Sequence, residues 1–200
     1  GATYMDGTTD ITRTYPLGPL TEDEKRFYTW TLQSHIDLAK AVWLDYCECK
    51  MIDTIAREPL WRHLINYRCG TGHSVSFVGN VHEGPHALNS RNTTRMRPGM
   101  VVTDEPGVYE TDLVGIRIEN ELVCVHKADN QYGTFLGFEP LMFVPIATSP
   151  ILPGVLDKDE IAWLNDYHRQ VFAKLAPHLN DEERSWLAEK CAAKIGRAHV

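Results

Sequence analysis

Residues 115–121 read GIRIENE, and this alternation fits only a strand with two unlike faces. Side chains two apart share a face, so Ile116 and Ile118 lie on one side while Arg117, Glu119 and Glu121 lie on the other. The apolar side needs a core to pack on. The charged side either faces water or converges on something that neutralises it. Alone, the segment is an ordinary half-solvated strand; other parts of the chain decide between the two.

Residues 115–125 read as one strand, and residues 100–103 as another that stops at Pro106-Gly107. Near the start, Asp6-Gly7 between β-prone runs predicts a hairpin with a type I′ turn and places Asp10 in its second strand. Thr21 with Glu24 is a capping-box signature. The apolar spacing of Tyr28, Leu32, Ile36, Ala39 and Trp43 then predicts a helix of about six turns. A shorter helix follows from about Met51. Asp157 with Glu160 caps a helix that Pro177 ends, and Asn180 with Glu183 starts another. Helices on a mainly antiparallel sheet, followed by a helical extension, make an α+β chain.

Two hundred residues suffice for one domain with a sizeable core. A formal charge of −7 argues against a nucleic acid or an anionic membrane as partner, and suits bound cations. No apolar run approaches the roughly 18 residues of a membrane span. The cysteines, at 47, 49, 69, 124 and 191, are odd in number and show no Cys-x-x-Cys pair. They read as free thiols of a reducing compartment. The chain opens without Met or a signal segment, which suggests that the true N-terminus lies upstream. Residues 195–200 (IGRAHV) correspond to one reading frame of a common sequencing adapter and read as a non-native tail, so His199 is given no role.

Other segments change the weight of the charged strand face. Thr103-Asp104-Glu105-Pro106-Gly107 sets acidic groups where an apolar strand enters a loop. Gly70-Thr71-Gly72-His73 flanks an imidazole with glycines that allow close approach. In order along the chain, DGTTDITRT (6–14), GTGH (70–73), NVHEGP (80–85), VVTDEPGVYE (101–110), GIRIEN (115–120) and FEPL (138–141) resemble aminopeptidase P, the Xaa-Pro aminopeptidase of the pita-bread metallopeptidases. The likeness runs from Gly1 to about His168.

The resemblance implies a partial pita-bread fold and two divalent metal ions, usually manganese. Asp10 and Glu119 would bridge the ions, and His73 and Glu105 would complete one of them. A set dominated by oxygen suits manganese or magnesium and not thiolate-preferring ions. The implied reaction is hydrolysis by a hydroxide bridging the metals, with Glu105 accepting the nucleophile's proton. His82 would hydrogen-bond the substrate or intermediate, Arg117 would orient a bridging carboxylate, and Tyr109 would line the proline subsite. No family ligand maps to Glu121, which reads as a solvated or ion-paired charge.

The sequence also departs from the family. The family's first metal Asp stands in an Asp-Ser-Gly-Ala run, and this chain begins at the Gly, so four of five ligands are present and little activity is expected from the chain alone. Cys69 stands where the family has a His near the substrate, and Ser74 and Ser76 replace glycines. Residues 1–150 are read as part of the catalytic domain. Residues 151–194, with WLNDYH at 163–168, resemble the extension of the long forms, associated with a homodimer. The implied parent is a cytoplasmic enzyme acting on peptides with proline in second position. A prolidase of Xaa-Pro dipeptides and a non-catalytic pita-bread module that binds peptides are the alternatives. Converging carboxylates argue against the module, because their repulsion is relieved only by cations.

Overall fold

The computed structural model describes residues 1–193. In chain order it contains β1 (Ala2–Tyr4), β2 (Gly7–Thr9), α1 (Glu22–Ala39), β3 (Val42–Leu44), α2 (Cys49–Trp61), β4 (Gly72–His73) and β5 (Ala87–Leu88). These are followed by β6 (Val101–Asp104), β7 (Gly107–Glu110), β8 (Val114–Arg117), β9 (Asn120–Asn130), β10 (Gly133–Pro140), α3 (Lys158–Leu175) and α4 (Asp181–Cys191). The central sheet has the order β3-β10-β9-β6, and each pair is antiparallel. This is the α+β layout expected. The tail at 195–200, with His199, lies outside the described residues.

Local chemistry starts the helices where expected. Thr21, Asp157 and Asn180 each accept a backbone N–H in the first turn, and Glu24, Glu160 and Glu183 close the boxes by accepting in return. α1 lies between two cores. On one side Leu38 joins Trp43, Ile52, Ala56, Val102, Leu122 and Phe138 beneath the sheet. On the other, Tyr28, Leu32 and Ile36 pack with Ile116, Ile118, Leu164, Tyr167 and Val171. The last three come from α3, so the helical extension packs within the chain. Each fully buried Leu or Ile contributes about 1.5–3 kcal/mol.

Four expectations change. The long helix ends at Ala39, and Trp43 sits in β3, where its ring lies 4.5 Å from that of Phe138. Its spacing fits a helix, but burial against the sheet overrides that periodicity. The hairpin loop is Met5-Asp6, since Tyr4 pairs with Gly7, and among the two Asp6-Gly7 residues only Gly7 has a positive φ, of 146°. A type I′ turn requires both, so the turn is of another kind. Asp10 follows β2 instead of lying within it. Finally, residues 115–125 form two strands. β8 pairs with β7, β9 pairs with β6 and β10, and Ile118-Glu119 makes the step between them.

Candidate metal centre

The step between β8 and β9 brings Glu119 into a buried corner, 1% exposed, while its neighbour Ile118 is in the core. Glu119 N donates to Thr12 O at 3.0 Å, fixing the β8–β9 step to the segment after β2. That same segment carries Asp10. β4 carries His73, and Glu105 follows β6. One ligand atom each from Asp10, His73 and Glu119 lie within 4.8 Å of one another. Glu105 joins through His73, whose Nε2 is 3.1 Å from Glu105 Oε1 and 3.4 Å from Asp10 Oδ2. Four residues from four separate stretches of sequence therefore come together in one cluster.

Close approach of two strands makes this possible. A Cβ at Gly72 would lie 1.8 Å from Thr103 O, so only glycine lets β4 sit this near β6. Thr103 Oγ1 then accepts from His73 N at 2.9 Å and donates to Glu105 Oε1 at 3.0 Å. Glu105 N donates to Thr71 O at 2.8 Å.

The electrostatics call for a cation. Burial pushes the Glu119 carboxyl up to about 7, against a hydrogen bond from Thr12, and the charges of Glu105 and Asp10 add to the rise. Its Oε1 is buried with no hydrogen-bond partner among the described residues, an orphan of the kind that costs several kcal/mol unless an ion or proton meets it. His73 Nδ1 lies 3.1 Å from Ser74 O and carries the proton in that contact, which aims the Nε2 lone pair at two carboxylates. Burial alone would lower the His73 pKa, but Glu105, Ser74 O and Asp10 together carry it above the usual value. A divalent ion among these atoms would remove both conflicts. Three carboxylates and one imidazole form a donor set that suits hard cations.

The remaining residues singled out from sequence are nearby. The His82 and His73 rings are 3.8 Å apart. Arg117 Nε lies 3.6 Å from Glu119 Oε2 and 3.9 Å from Glu105 Oε2, and its Nη1 donates to Tyr109 OH at 3.1 Å. Tyr109 is half-exposed at the rim. Cys69 Sγ lies 4.0 Å from Gly107 O, and burial pushes its thiol up, away from the thiolate a nucleophile needs. It borders an open groove of about 620 Å³ with Arg57, Arg68 and Arg91, and none of the four acidic-site residues lines it.

Two site residues escape a reading of the sequence. Glu121 is not solvated, and it has no ion pair among the described residues: it is 5% exposed, and its Oε1 accepts Asp10 N at 2.7 Å. Its place on the same strand face as Glu119 was the available signal. Thr12 donates its hydroxyl to Glu119 Oε2 and accepts from Arg117 Nε at 2.9 Å, so it links the two.

Comparison with known proteins agrees with this geometry. Residues 1–126 match metallopeptidase family M24, and residues 134–194 match the C-terminal region of peptidase M24. Aminopeptidase P1 of Lotus japonicus is 42% identical over 98% of this chain, and aminopeptidase P2 of Arabidopsis thaliana is 44% identical over 94%. The chain spans 30% and 27% of their lengths. The crystal structure of an X-prolyl aminopeptidase from Caenorhabditis elegans, described as a cytosolic enzyme with a dinuclear active site, superposes with a TM-score of 0.90 at 39% identity. That match covers 96% of this chain and 32% of the other. Prolidase from Pyrococcus furiosus matches with a TM-score of 0.60 at 26% identity, over 70% of this chain and 39% of that one. The fold is the pita-bread fold. With its acidic cluster in place and more than half its length matched, the chain belongs to metallopeptidase family M24.

Proposed function

We propose that this chain is the C-terminal part of a cytoplasmic Xaa-Pro aminopeptidase of the aminopeptidase P type, which cuts the bond between an N-terminal residue and a following proline. The observation that carries the reading is the convergence of Asp10, His73 and Glu119, with Glu105 against His73, in a chain about 40% identical to aminopeptidases P. Residues 1–150 would supply this part of the catalytic domain. Residues 151–194 would form the extension, with a homodimer in the longer protein.

Asp10, Glu119, His73 and Glu105 would be the residues that hold two divalent cations, manganese being the proposed pair. Such ions lower the pKa of water and polarise a carbonyl. Glu105, held by Thr103 and beside His73, would take and return the proton. His82, exposed and tilted at 48° against the His73 ring, would hydrogen-bond the scissile amide as it becomes tetrahedral. Arg117 would hold Glu119 in orientation through Thr12, and Tyr109 would offer its half-exposed ring to the proline.

The test is to express the gene with the coding sequence that precedes Gly1 and assay it with manganese on an Xaa-Pro-Yaa tripeptide and an Xaa-Pro dipeptide. Chelator-sensitive release of the first residue from the tripeptide is expected. Cleavage of the dipeptide alone would make the protein a prolidase, and cleavage of neither by a cation-loaded protein would make it a binding module. The 200-residue chain by itself is expected to turn over far more slowly than the longer form.

A further inference from the structure

Two of the site carboxylates have buried polar neighbours in sequence: Asp104 precedes Glu105 and Asn120 follows Glu119, and both are fully buried. His35 on α1 spans them. Its Nδ1 lies 3.0 Å from Asp104 Oδ2 and its Nε2 lies 3.3 Å from Asn120 Nδ2. The nitrogen facing the carboxylate carries the proton, which leaves Nε2 to accept from the amide. Asn120 Oδ1 accepts in turn from Arg13 Nη2 at 2.7 Å. Arg13 also donates through Nη1 to the backbone oxygen of Glu119 and to that of Thr12, at 2.9 Å. Arg13 thus grips both segments, the one after β2 and the β8–β9 step, at the place where Glu119 N meets Thr12 O.

The far end of this network is on α3. Trp163 and Tyr167, one helical turn apart, stack at 5.4 Å with 2° between their planes, and Trp163 meets the His35 ring edge-on at 5.8 Å. The Tyr167 hydroxyl, buried, has five polar atoms around it. Arg13 Nη2 is at 2.8 Å, Met142 O at 3.1 Å, and Asn120 Oδ1, Val144 N and Val144 O are each at 3.2 Å. A hydroxyl has two lone pairs and one proton. The lone pairs meet the two donors, Arg13 and Val144 N, and the single proton goes to one of the three oxygens. Deleting the hydroxyl would leave Val144 N short of an acceptor; Arg13 Nη2 would keep Asn120 Oδ1 at 2.7 Å and Val144 O at 2.8 Å but lose the contact that ties it to α3. Ordinary core packing has no need for this arrangement; the apolar neighbours on α3, Leu164 and Val171, already bury the helix face.

We infer that Tyr167 is a positioning residue for Glu119, acting through Arg13 and Asn120, so that the helix after the sheet completes the acidic site as well as covering a core. The inference rests on the reading of Glu119 as a cation ligand for its functional meaning, but its structural content is separately measurable.

The experiment compares Tyr167→Phe with Val171→Ala in the 200-residue chain. Phe keeps the stacking on Trp163 and loses only the hydroxyl. Val171→Ala destabilises the same helix without touching the network, and denaturant is adjusted until the two variants have equal global stability. Amide hydrogen exchange at Glu119, measured by NMR without metal, is expected to be about tenfold faster in Tyr167→Phe than in Val171→Ala. Manganese affinity, measured by competition with a chelator, is expected to fall about 10–100-fold in Tyr167→Phe and to stay within twofold of the parent in Val171→Ala. Equal exchange at Glu119 in the two variants would overturn the inference. If exchange separates the variants while the parent takes up no manganese, Tyr167 still positions Glu119 and it is the metal reading that fails.

Discussion

Glu121 Oε1 accepts the backbone N–H of Asp10 at 2.7 Å, joining residues 111 positions apart. This bond holds Asp10 in place just after β2 ends. Burial raises the pKa of Glu121 against that bond, and Asp10's charge raises it further, so the carboxylate is kept there at a cost. Glu121→Ala leaves Asp10 N unpaired in a half-buried place and is expected to destabilise the chain by about 1–3 kcal/mol in urea unfolding. It should also weaken manganese binding about tenfold. Glu121→Gln keeps an oxygen acceptor and should stay near the parent in both. If the Ala variant binds manganese as the parent does, Glu121 does not support Asp10.

Thr12 is the joint between Arg117 and Glu119. Thr12→Val preserves shape and removes the hydroxyl that Glu119 Oε2 accepts from and Arg117 Nε donates to. Glu119 Oε1 already lacks a hydrogen-bond partner among the described residues, so neither oxygen would then accept a hydrogen bond, and Oε2 would keep only the Arg117 Nε contact at 3.6 Å. A loss of about 1–3 kcal/mol in the metal-free chain is expected, with recovery in Thr12→Ser. Chemical denaturation of the three proteins decides it; a Ser variant as weak as Val would assign the effect to the lost methyl.

The acidic pocket is expected to make stability depend on cations. Manganese at 100 times its dissociation constant should add about 2.7 kcal/mol by mass action, a rise of roughly 5–10 °C in melting temperature for a chain of this size. Chelator should reverse it. His73→Ala and Asp10→Ala should each abolish the shift, while a shift that survives in both would place the cation elsewhere.

How much of this could be read from the residues depends on how local each cause is. The capping boxes at Thr21, Asp157 and Asn180 are closed by partners three residues away, so they were legible. The convergence of Asp10, His73, Glu105 and Glu119 was legible through motifs, because they lie on glycine- and proline-marked segments. The split at Ile118-Glu119 was not, because it arises from β8 and β9 pairing with different strands, and both halves keep the same alternation. Trp43 continues a helical spacing that α1 abandons, since its partner, Phe138, is 95 residues on. Glu121, Thr12 and Tyr167 act through bonds across more than a hundred residues, and no spacing in the chain encodes such bonds.

His168 gives the fold a pH dependence separate from the site. It is 1% exposed, and its Nε2 accepts Ile146 N at 3.1 Å. Burial pushes its pKa down to about 4, from about 6.5 when unfolded. Between those values the unfolded chain binds a proton that the folded chain refuses. Its contribution is therefore complete above about pH 6.5 and is lost as pH falls toward 4, to a total on the order of 3 kcal/mol. His168→Gln keeps an acceptor for Ile146 N and does not titrate. The stability difference between parent and variant should shift against the parent across that window. A difference independent of pH would mean that His168 is protonated equally in both states.

The contact between β4 and β6 yields the sharpest single-atom test. A methyl at Gly72 would lie 1.8 Å from Thr103 O and 2.7 Å from Thr103 C, both backbone atoms, so one strand must move. Thr103 is also the residue that accepts from His73 N and donates to Glu105. Moving the strands apart thus separates His73 from Glu105 as well as straining the fold. At Gly70, two residues earlier, a methyl would meet Leu88 O at 3.5 Å, an ordinary contact. Gly72→Ala is expected to cost about 1–3 kcal/mol or more and to remove manganese binding in whatever fraction stays folded, while Gly70→Ala should retain it. Thermal melts with and without manganese give both quantities from one sample. If Gly72→Ala melted lower but gained as much from manganese as the parent, the close approach of β4 to β6 would serve the fold alone, and His73 and Glu105 would be held by something other than Thr103.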